Sequence, residues 1–109
     1  MVTMKMMQRQ KIFRAIADPT RREILNLLRE GPQAVGEIAG NFRTSRPAIS
    51  KHLRLLESAG LIVAQQRGTA RICQLNARPL HVVNDWLRDY ERFWSEAMQN
   101  LKRFAEKKQ

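Results

Sequence analysis

Residues 44–60 carry hydroxyl and cationic side chains at the spacing of an α-helix. At 3.6 residues per turn, the apolar side chains of Ile49, Leu53 and Leu56 share one side. The opposite side and its flanks present Arg46, Pro47, Ser50, Lys51 and Arg54. Arginine and lysine can donate to guanine O6 and N7, and a hydroxyl can donate to a base or a phosphate. The pattern therefore predicts a helix that enters a DNA major groove, although a surface helix with a solvated basic face would show it too.

The charge distribution favours a nucleic-acid partner. The chain of 109 residues has a net charge of +10, from 20 basic and 10 acidic residues. Residues 42–78 hold seven of the basic residues and one acid, Glu57, whereas residues 79–106 hold four basic and five acidic residues. Positive charge concentrated on one segment is typical of a nucleic-acid footprint. A membrane surface would also attract it, but the segment lacks the broad Trp/Phe/Leu face of an interfacial helix.

The sequence does not indicate catalysis. Its two histidines, His52 and His81, accompany no nucleophile–base pair, glycine-rich phosphate loop or paired carboxylate site. We expect no enzymatic activity and no cofactor. No apolar run approaches membrane-spanning length and residues 1–10 do not form a secretory signal, so we expect a cytoplasmic protein without a membrane partner.

Two groups leave a sensing role open. The single cysteine, Cys73, cannot form a disulfide within the chain, but nearby Arg71 would lower its pKa and make it redox-active. The alternation of its strand favours a small core residue instead. His81, Asp85 and Asp89 follow one another at i, i+4 and i+8 on one helix face, where a two-fold partner could complete a metal site. Carboxylates on a solvated helix face are commoner than metal ligands, and we assign no metal residue.

Caps and breaks predict the elements that precede this helix. A first helix spans residues 4–17 and breaks at Asp18-Pro19, where a second helix begins; Gly31-Pro32 ends that helix. A short third helix over residues 34–42 and a three-residue turn complete a helix-turn-helix, residues 34–60. Arg21 and Arg22 occupy the first turn of the second helix, where the helix dipole disfavours cations. Contact with a DNA phosphate would explain this placement, and ordinary solvent exposure is the alternative.

A β-hairpin is predicted directly after the helix-turn-helix. Residues 61–66 and 71–75 are short runs with β-branched side chains, parted by a turn that contains Gly68. A hairpin in this position is a wing, residues 61–75, whose tip would reach phosphates or a minor groove; a solvated tip is the alternative. The predicted DNA contacts are Arg43, Thr44, Ser45, Arg46, Pro47, Ser50, Lys51, Arg54, Arg67, Thr69 and Arg71.

The last segment, residues 79–106, has the most regular pattern. Apolar residues recur at spacings of 3 and 4: Leu80, Val83, Leu87, Tyr90, Trp94, Ala97, Leu101 and Phe104. A helix of this length, about 40 Å, is too long for so small a domain to cover. The pattern therefore favours dimerisation through this helix.

The order of these elements and four short motifs resemble the ArsR/SmtB family of bacterial winged-helix repressors. The motifs are residues 17–25 (Ala-Asp-Pro-Thr-Arg-Arg-Glu-Ile-Leu), 35–39 (Val-Gly-Glu-Ile-Ala), 45–54 (Ser-Arg-Pro-Ala-Ile-Ser-Lys-His-Leu-Arg) and 59–62 (Ala-Gly-Leu-Ile). The resemblance implies that Arg46, Pro47, Ser50 and Lys51 face the bases. It also implies a homodimer made by the first and last helices. The predicted dimer interface is Ile12, Phe13, Leu80, Val83, Leu87, Tyr90, Trp94, Ala97 and Leu101.

The chain departs from the family's metal sensors. Their third helix carries a cysteine pair, and residues 36–42 contain no thiol here. The last helix, with Trp86, Tyr90 and Trp94, is similar to that of the metal-independent branch, whose members often repress their own operon.

The sequence thus predicts one winged helix-turn-helix domain, residues 1–109. The fold is mainly α with a small β-hairpin, in the order α-α-α-α-β-β-α, with dimerisation helices at residues 1–17 and 79–106. The expected function is a homodimeric repressor of its own or an adjacent operon that reads an inverted repeat in double-stranded DNA. The alternatives are a redox- or metal-responsive sensor and a winged-helix module that binds RNA or protein. No effector, operator or target gene is indicated.

Overall fold

The computed structural model describes residues 3–107 and contains five α-helices and three β-strands within them. In chain order they are α1 (Met4–Ile16), α2 (Pro19–Leu28), β1 (Gln33–Ala34), α3 (Val35–Ala39), α4 (Arg46–Ser58), β2 (Ile62–Arg67), β3 (Ala70–Leu75) and α5 (His81–Lys107). A 3₁₀ turn, Arg78–Leu80, leads into α5. The ends of the predicted segment 1–109, residues 1, 2, 108 and 109, lie outside the described residues.

The predicted caps begin and end the central helices. The Asp18 carboxylate accepts a hydrogen bond from the Arg21 backbone N–H at 3.1 Å, and Pro19 is the first residue of α2. The Ser45 hydroxyl accepts from the Ala48 N–H at 3.3 Å at the start of α4. Gly60, with φ of +78°, terminates α4 in the left-handed conformation that glycine adopts without strain. These local signals fix where α4 begins and where the chain turns toward β2.

The hydrophobic core lies between the helices and one face of the sheet. α2 contributes Ile24, Leu25 and Leu28, and α3 contributes Ile38. α4 buries its predicted apolar side against them: Ile49 and Leu56 are 0% exposed and Leu53 is 5% exposed. Leu61, Ile62 and Cys73 close the core from the sheet.

The sheet has three antiparallel strands in the order β1-β3-β2, one more than predicted. β2 and β3 form the predicted hairpin, in which Arg67 opposes Ala70 and Gly68 has φ of +60°. β1 pairs Gln33 with Cys73 on the other edge of β3. A strand of two residues is too short to show an alternating pattern in the sequence. It forms because it pairs with a distant part of the chain.

α3 is shorter than the predicted span of residues 34–42. It ends at Ala39, and the Asn41 side chain donates to the Glu37 carbonyl at 2.9 Å, at the point where the helix stops. Six residues, 40–45, therefore separate α3 from α4 instead of three.

α5 extends beyond the folded body of the chain. The structure describes all 27 of its residues, and none of them is buried. Phe13 of α1 contacts Trp86 near the start of α5, with ring centroids 5.5 Å apart. The longest dimension of the molecule is 63 Å. Within residues 3–107, no helix is both long and apolar enough to cross a membrane.

Candidate nucleic-acid interface

α4 divides into a buried apolar back and an exposed basic front. Ile49, Leu53 and Leu56 pack into the core, so they fix the rotation of the helix about its axis. The side chains predicted to meet DNA then lie on the outside. Arg43, Thr44, Arg46, Pro47, Lys51 and Arg54 are exposed, and Ser50 is half-buried.

Ser45 has a structural task of its own. Its hydroxyl oxygen accepts the Ala48 N–H, which would otherwise lack a partner at the helix start. A hydroxyl has a donor hydrogen as well as two acceptor positions, so Ser45 can still donate to a phosphate. The structure thus places a capping residue at the N-terminus of α4, with its hydroxyl hydrogen still available to donate.

The wing presents Arg67 and Thr69 at its exposed tip, but Arg71 is already paired. The Arg71 guanidinium donates to the Glu57 carboxylate with an N–O distance of 3.2 Å. Glu57 is the single acid within residues 42–78 and lies in the last turn of α4. The ion pair joins the wing to α4, and both partners are partly exposed, so its contribution to stability is small, about 0–1 kcal/mol. Arg71 would have to share or leave Glu57 before it reached a phosphate.

Arg21 and Arg22 do not point away from the chain as free phosphate contacts. Arg21 donates from Nε to the Ala15 carbonyl at 2.7 Å and from Nη2 to the Arg14 carbonyl at 2.9 Å. Arg22 Nη1 donates to the carbonyls of Ile16 and Ala17, at 2.9 and 3.2 Å. The last carbonyls of a helix lack partners within it and carry negative partial charge, so cations are favourable there. The prediction took only the dipole of α2 into account. In the structure, these arginines lie at the negative end of the α1 dipole and donate to its carbonyls.

Sequence comparison places this arrangement among known regulators. The family described as "Bacterial regulatory protein, arsR family" matches residues 18–63, from the cap of α2 into β2. The HTH-type transcriptional regulator Rv2034 of Mycobacterium tuberculosis is 41% identical over 88 residues, which make up 81% of this chain and 79% of that protein. This chain belongs to the ArsR family of transcriptional regulators. The transcriptional repressor SdpR of Bacillus subtilis is 39% identical over 79 residues, covering 72% of this chain and 88% of SdpR.

Solved structures agree with this assignment. The crystal structure of an ArsR family transcriptional regulator superposes with a TM-score of 0.75 at 36% identity, covering 87% of this chain and 97% of that chain. The solution structure of the homodimeric winged helix-turn-helix DNA-binding domain Mb0332 from Mycobacterium bovis superposes with a TM-score of 0.62 at 26% identity, covering 90% and 85%. The predictions of the family and of the winged helix-turn-helix fold are confirmed. The ArsR-family chain is therefore a transcriptional regulator with a DNA-binding winged helix-turn-helix.

Cys73 of this ArsR-family chain is not the activated thiol that its neighbour Arg71 suggested. The side chain is 1% exposed, on the central strand β3. Burial raises the pKa of Cys73, and the opposing effect of the Arg71 charge is smaller. The charge of Glu57 raises the pKa as well, so the alternative of an activated thiol is not supported, and the favoured prediction of a small core residue is confirmed. The thiol lines the floor of a cavity of about 240 Å³ between α4 and β3, beside Val35 and Leu53.

The possible metal ligands on α5 come together only in part. His81 Nδ1 lies 3.0 Å from Asp85 Oδ2, and both side chains are exposed. Asp85 also faces Arg88 at 3.8 Å. Across residues 3–107, no group of three or more His, Cys, Asp and Glu side chains could hold a metal ion. In the described chain, His81 and Asp85 form a local hydrogen-bonded pair at the start of α5.

α1 and α5 together expose a continuous apolar surface. A row of aromatic rings runs along it from Phe13 to Trp86, Tyr90 and Phe93, with successive centroids 5.5, 5.3 and 6.5 Å apart; the first two pairs meet edge to face and the third is tilted. Further along α5, Trp94, Met98, Leu101 and Phe104 are 50–65% exposed. We call this set the α5 face. Of the predicted interface residues, Tyr90, Trp94, Ala97 and Leu101 are exposed on it, and Phe13, Leu80, Val83 and Leu87 are half-buried. Ile12 instead belongs to the core at 5% exposure, which leaves little of it for a partner.

Proposed function

We propose that this ArsR-family regulator is a homodimeric repressor that reads an inverted repeat in double-stranded DNA with two copies of α4. One observation carries the proposal: the apolar back of α4 is buried while its cationic and hydroxyl front is exposed. A helix held by its back to a compact body can insert its front into a major groove.

Different residues on and around the front of α4 are proposed to contact the bases and the DNA backbone. Arg46 and Lys51 are proposed to donate to guanine O6 and N7, and Ser50 to a base or phosphate. Arg43, Thr44, Ser45 and Arg54 surround them, and Arg67, Thr69 and Arg71 extend the contact along the wing. Contacts to phosphates set the register of a protein on DNA without reading its sequence, and we assign these outer residues to that task.

The α5 face supports the homodimer. A row of exposed aromatic and aliphatic side chains more than half a helix long is unusual for a monomer and typical of a subunit interface. The M. bovis domain that superposes on this chain is described as homodimeric. A two-fold dimer presents two recognition helices in opposite directions, so its target should be an inverted repeat with half-sites about one DNA turn apart.

Repression is proposed from the similarity to SdpR, which is described as a transcriptional repressor. Its target would be the protein's own operon or an adjacent one. Binding of the dimer over a promoter would exclude RNA polymerase without any catalytic step.

Selection from random duplex DNA tests the reading of sequence without assuming a target gene. We expect an inverted repeat, and Lys51→Ala should then lower the ratio of selected to random-duplex affinity. Loss of a bidentate base contact corresponds to about 1–3 kcal/mol, or about 5- to 150-fold in this ratio. Lys102→Ala, which removes the same charge from α5, should leave the ratio unchanged.

The outcomes separate the parts of the proposal. Equal weakening of selected and random DNA by Lys51→Ala would show that Lys51 contacts phosphate and not bases. Footprinting of the region upstream of the gene then tests autoregulation alone, because a protein that selects a repeat but leaves this region unprotected regulates elsewhere.

A further inference from the structure

The Arg21 side chain connects three helices. Its Nε and Nη2 atoms donate to the carbonyls of Ala15 and Arg14 at the end of α1, at 2.7 and 2.9 Å. Its own backbone begins α2, where Asp18 accepts the Arg21 N–H. The remaining nitrogen, Nη1, lies 3.1 Å from Nδ1 of His52, in the middle of α4. A single guanidinium thus holds the recognition helix to the end of α1.

The hydrogen bond between Arg21 and His52 determines the state of the imidazole. Every guanidinium N–H is a donor, so Nδ1 of His52 has to be the acceptor. The ring must therefore be neutral, with its hydrogen on Nε2. A second proton on the ring would occupy Nδ1, remove the acceptor and place two positive charges 3.1 Å apart.

A protonated His52 has another partner within reach. Asp18 Oδ2 lies 4.0 Å from His52 Nδ1. Burial raises the pKa of Asp18, but the hydrogen bond from the Arg21 N–H and nearby positive charge, that of Arg21 included, outweigh it, so its pKa lies below the ordinary value. The Asp18 carboxylate is thus ionised throughout the neutral pH range. His52 can pair with Arg21 when neutral and with Asp18 when protonated.

The other charged groups near this link are cationic. Lys11 and Arg14 of α1 line a pocket of about 150 Å³ together with Arg21 and with Leu55 of α4. On α4 itself, Lys51 precedes His52 and Arg54 follows two residues later. Within residues 3–107, Asp18 is therefore the one carboxylate that lies within 4.0 Å of the His52 ring nitrogens.

We propose that Arg21 and His52 form a proton-sensitive link that positions the recognition helix, so that sequence-specific DNA binding weakens when His52 is protonated. The inference rests on the proposed reading of DNA by α4. α1 contributes to the α5 face, so the distance between the two recognition helices of a dimer depends on how α4 is held to α1. Loss of the link disturbs the spacing of the two recognition helices. Binding to an inverted repeat depends on this spacing, whereas binding to random DNA does not. Non-specific binding, in contrast, gains from one more positive charge.

The test is the ratio of affinities for selected and random duplexes, measured by fluorescence anisotropy at constant ionic strength from pH 8 to pH 6. Histidine is the side chain that ordinarily changes charge in this range. The wild-type ratio should fall about fivefold on acidification, the effect of one hydrogen bond. His52→Gln keeps an acceptor but cannot titrate, so its ratio should stay constant. His81→Gln removes the other histidine, from the start of α5, and should retain the wild-type pH dependence.

Arg21→Lys separates positioning from folding. Lysine keeps the charge but cannot span both carbonyls and the imidazole, so the ratio at pH 8 should fall to about the wild-type value at pH 6. The ¹⁵N spectrum of His52 gives an independent reading of the link: Nδ1 should be unprotonated at pH 8 in the wild type and should shift in Arg21→Lys. A wild-type ratio that is constant with pH, or an equal pH dependence in His52→Gln, would overturn the inference.

The failure of the proposed function looks different. A chain that selects no duplex sequence contradicts the reading of DNA by α4, whatever the pH. The ¹⁵N spectrum then still decides the link, because a protonated Nδ1 at pH 8 is incompatible with a hydrogen bond from Arg21.

Discussion

Leu101→Glu should dissociate the proposed dimer without unfolding the chain. Leu101 is 61% exposed near the end of α5, a helix with no buried residue of its own. Its side chain therefore contributes little to the folded monomer. In the proposed dimer the α5 face is covered by a partner, and a carboxylate at this position would have to leave water.

The size of the effect follows from the exposed fraction. Complete burial of a leucine side chain is worth about 1.5–3 kcal/mol, so covering the exposed 61% contributes about 1–2 kcal/mol per protomer. A two-fold interface contains the residue twice, which doubles the loss to about 2–4 kcal/mol. The dissociation constant should then rise about 30- to 700-fold, and the desolvation of Glu increases it further.

Sedimentation equilibrium of the full chain over a range of concentrations measures this constant. Val63→Glu is the matched control, because Val63 is 50% exposed on β2 and the change adds the same charge away from the α5 face. Far-UV circular dichroism should be unchanged in both variants. An unchanged dissociation constant for Leu101→Glu would show that the interface does not reach this part of α5, and equal dissociation by both variants would point to net charge.

Two further predictions concern the core and the end of α4. Because Cys73 is buried and its pKa is raised, an alkylating reagent should modify it at least about tenfold more slowly in the native chain than in urea. Because the pKa of Cys73 is higher in the folded chain than in the unfolded chain, the stability contributed by the buried thiol is fully present below the ordinary thiol pKa and is lost as the pH rises above it. Fast alkylation of the native chain would contradict this assignment. DNA release by peroxide that Cys73→Ala abolishes would contradict it too. Gly60→Ala should destabilise the chain by about 1–2 kcal/mol in urea unfolding, since Gly60 has φ of +78°. Gly36→Ala, in a helix where the new Cβ would make only an ordinary contact with the Arg46 guanidinium at 4.0 Å, should be neutral or stabilising. Equal losses in both variants would refute the conformational explanation.

The parts of the fold that the sequence predicted are those governed by neighbouring residues. Asp18-Pro19, Ser45 and Gly60 each act within one or two turns of their own position, and the helix limits they predict agree with the structure. The same holds for the buried side of α4, because helical spacing alone places Ile49, Leu53 and Leu56 together. DNA contacts inferred from the other side remain predictions.

The features that the sequence did not predict depend on contacts between distant residues. β1 is two residues long and exists because it pairs with β3. The Glu57–Arg71 ion pair joins residues fourteen positions apart, and the Arg21–His52 bond spans thirty-one. The carbonyl partners of the α2 arginines were missed for the same reason: the sequence shows only that their charge opposes the dipole of their own helix, and the fold shows that the end of α1 lies beside them.

The position of α1 makes the two proposed surfaces interdependent. One side of α1 packs Ile12 and Ala15 into the core beneath α4, and another side places Phe13 against Trp86 on the α5 face. Its last carbonyls accept hydrogen bonds from Arg21, which also reaches His52 of α4, the proposed recognition helix. A partner chain that moved α1 would therefore move α4 through rigid contacts, because packed interiors transmit displacement and do not absorb it. Dimer geometry and DNA reading should then respond together to substitutions in α1, and a variant of Phe13 that altered half-site spacing preference without changing the dissociation constant of the dimer would demonstrate this coupling.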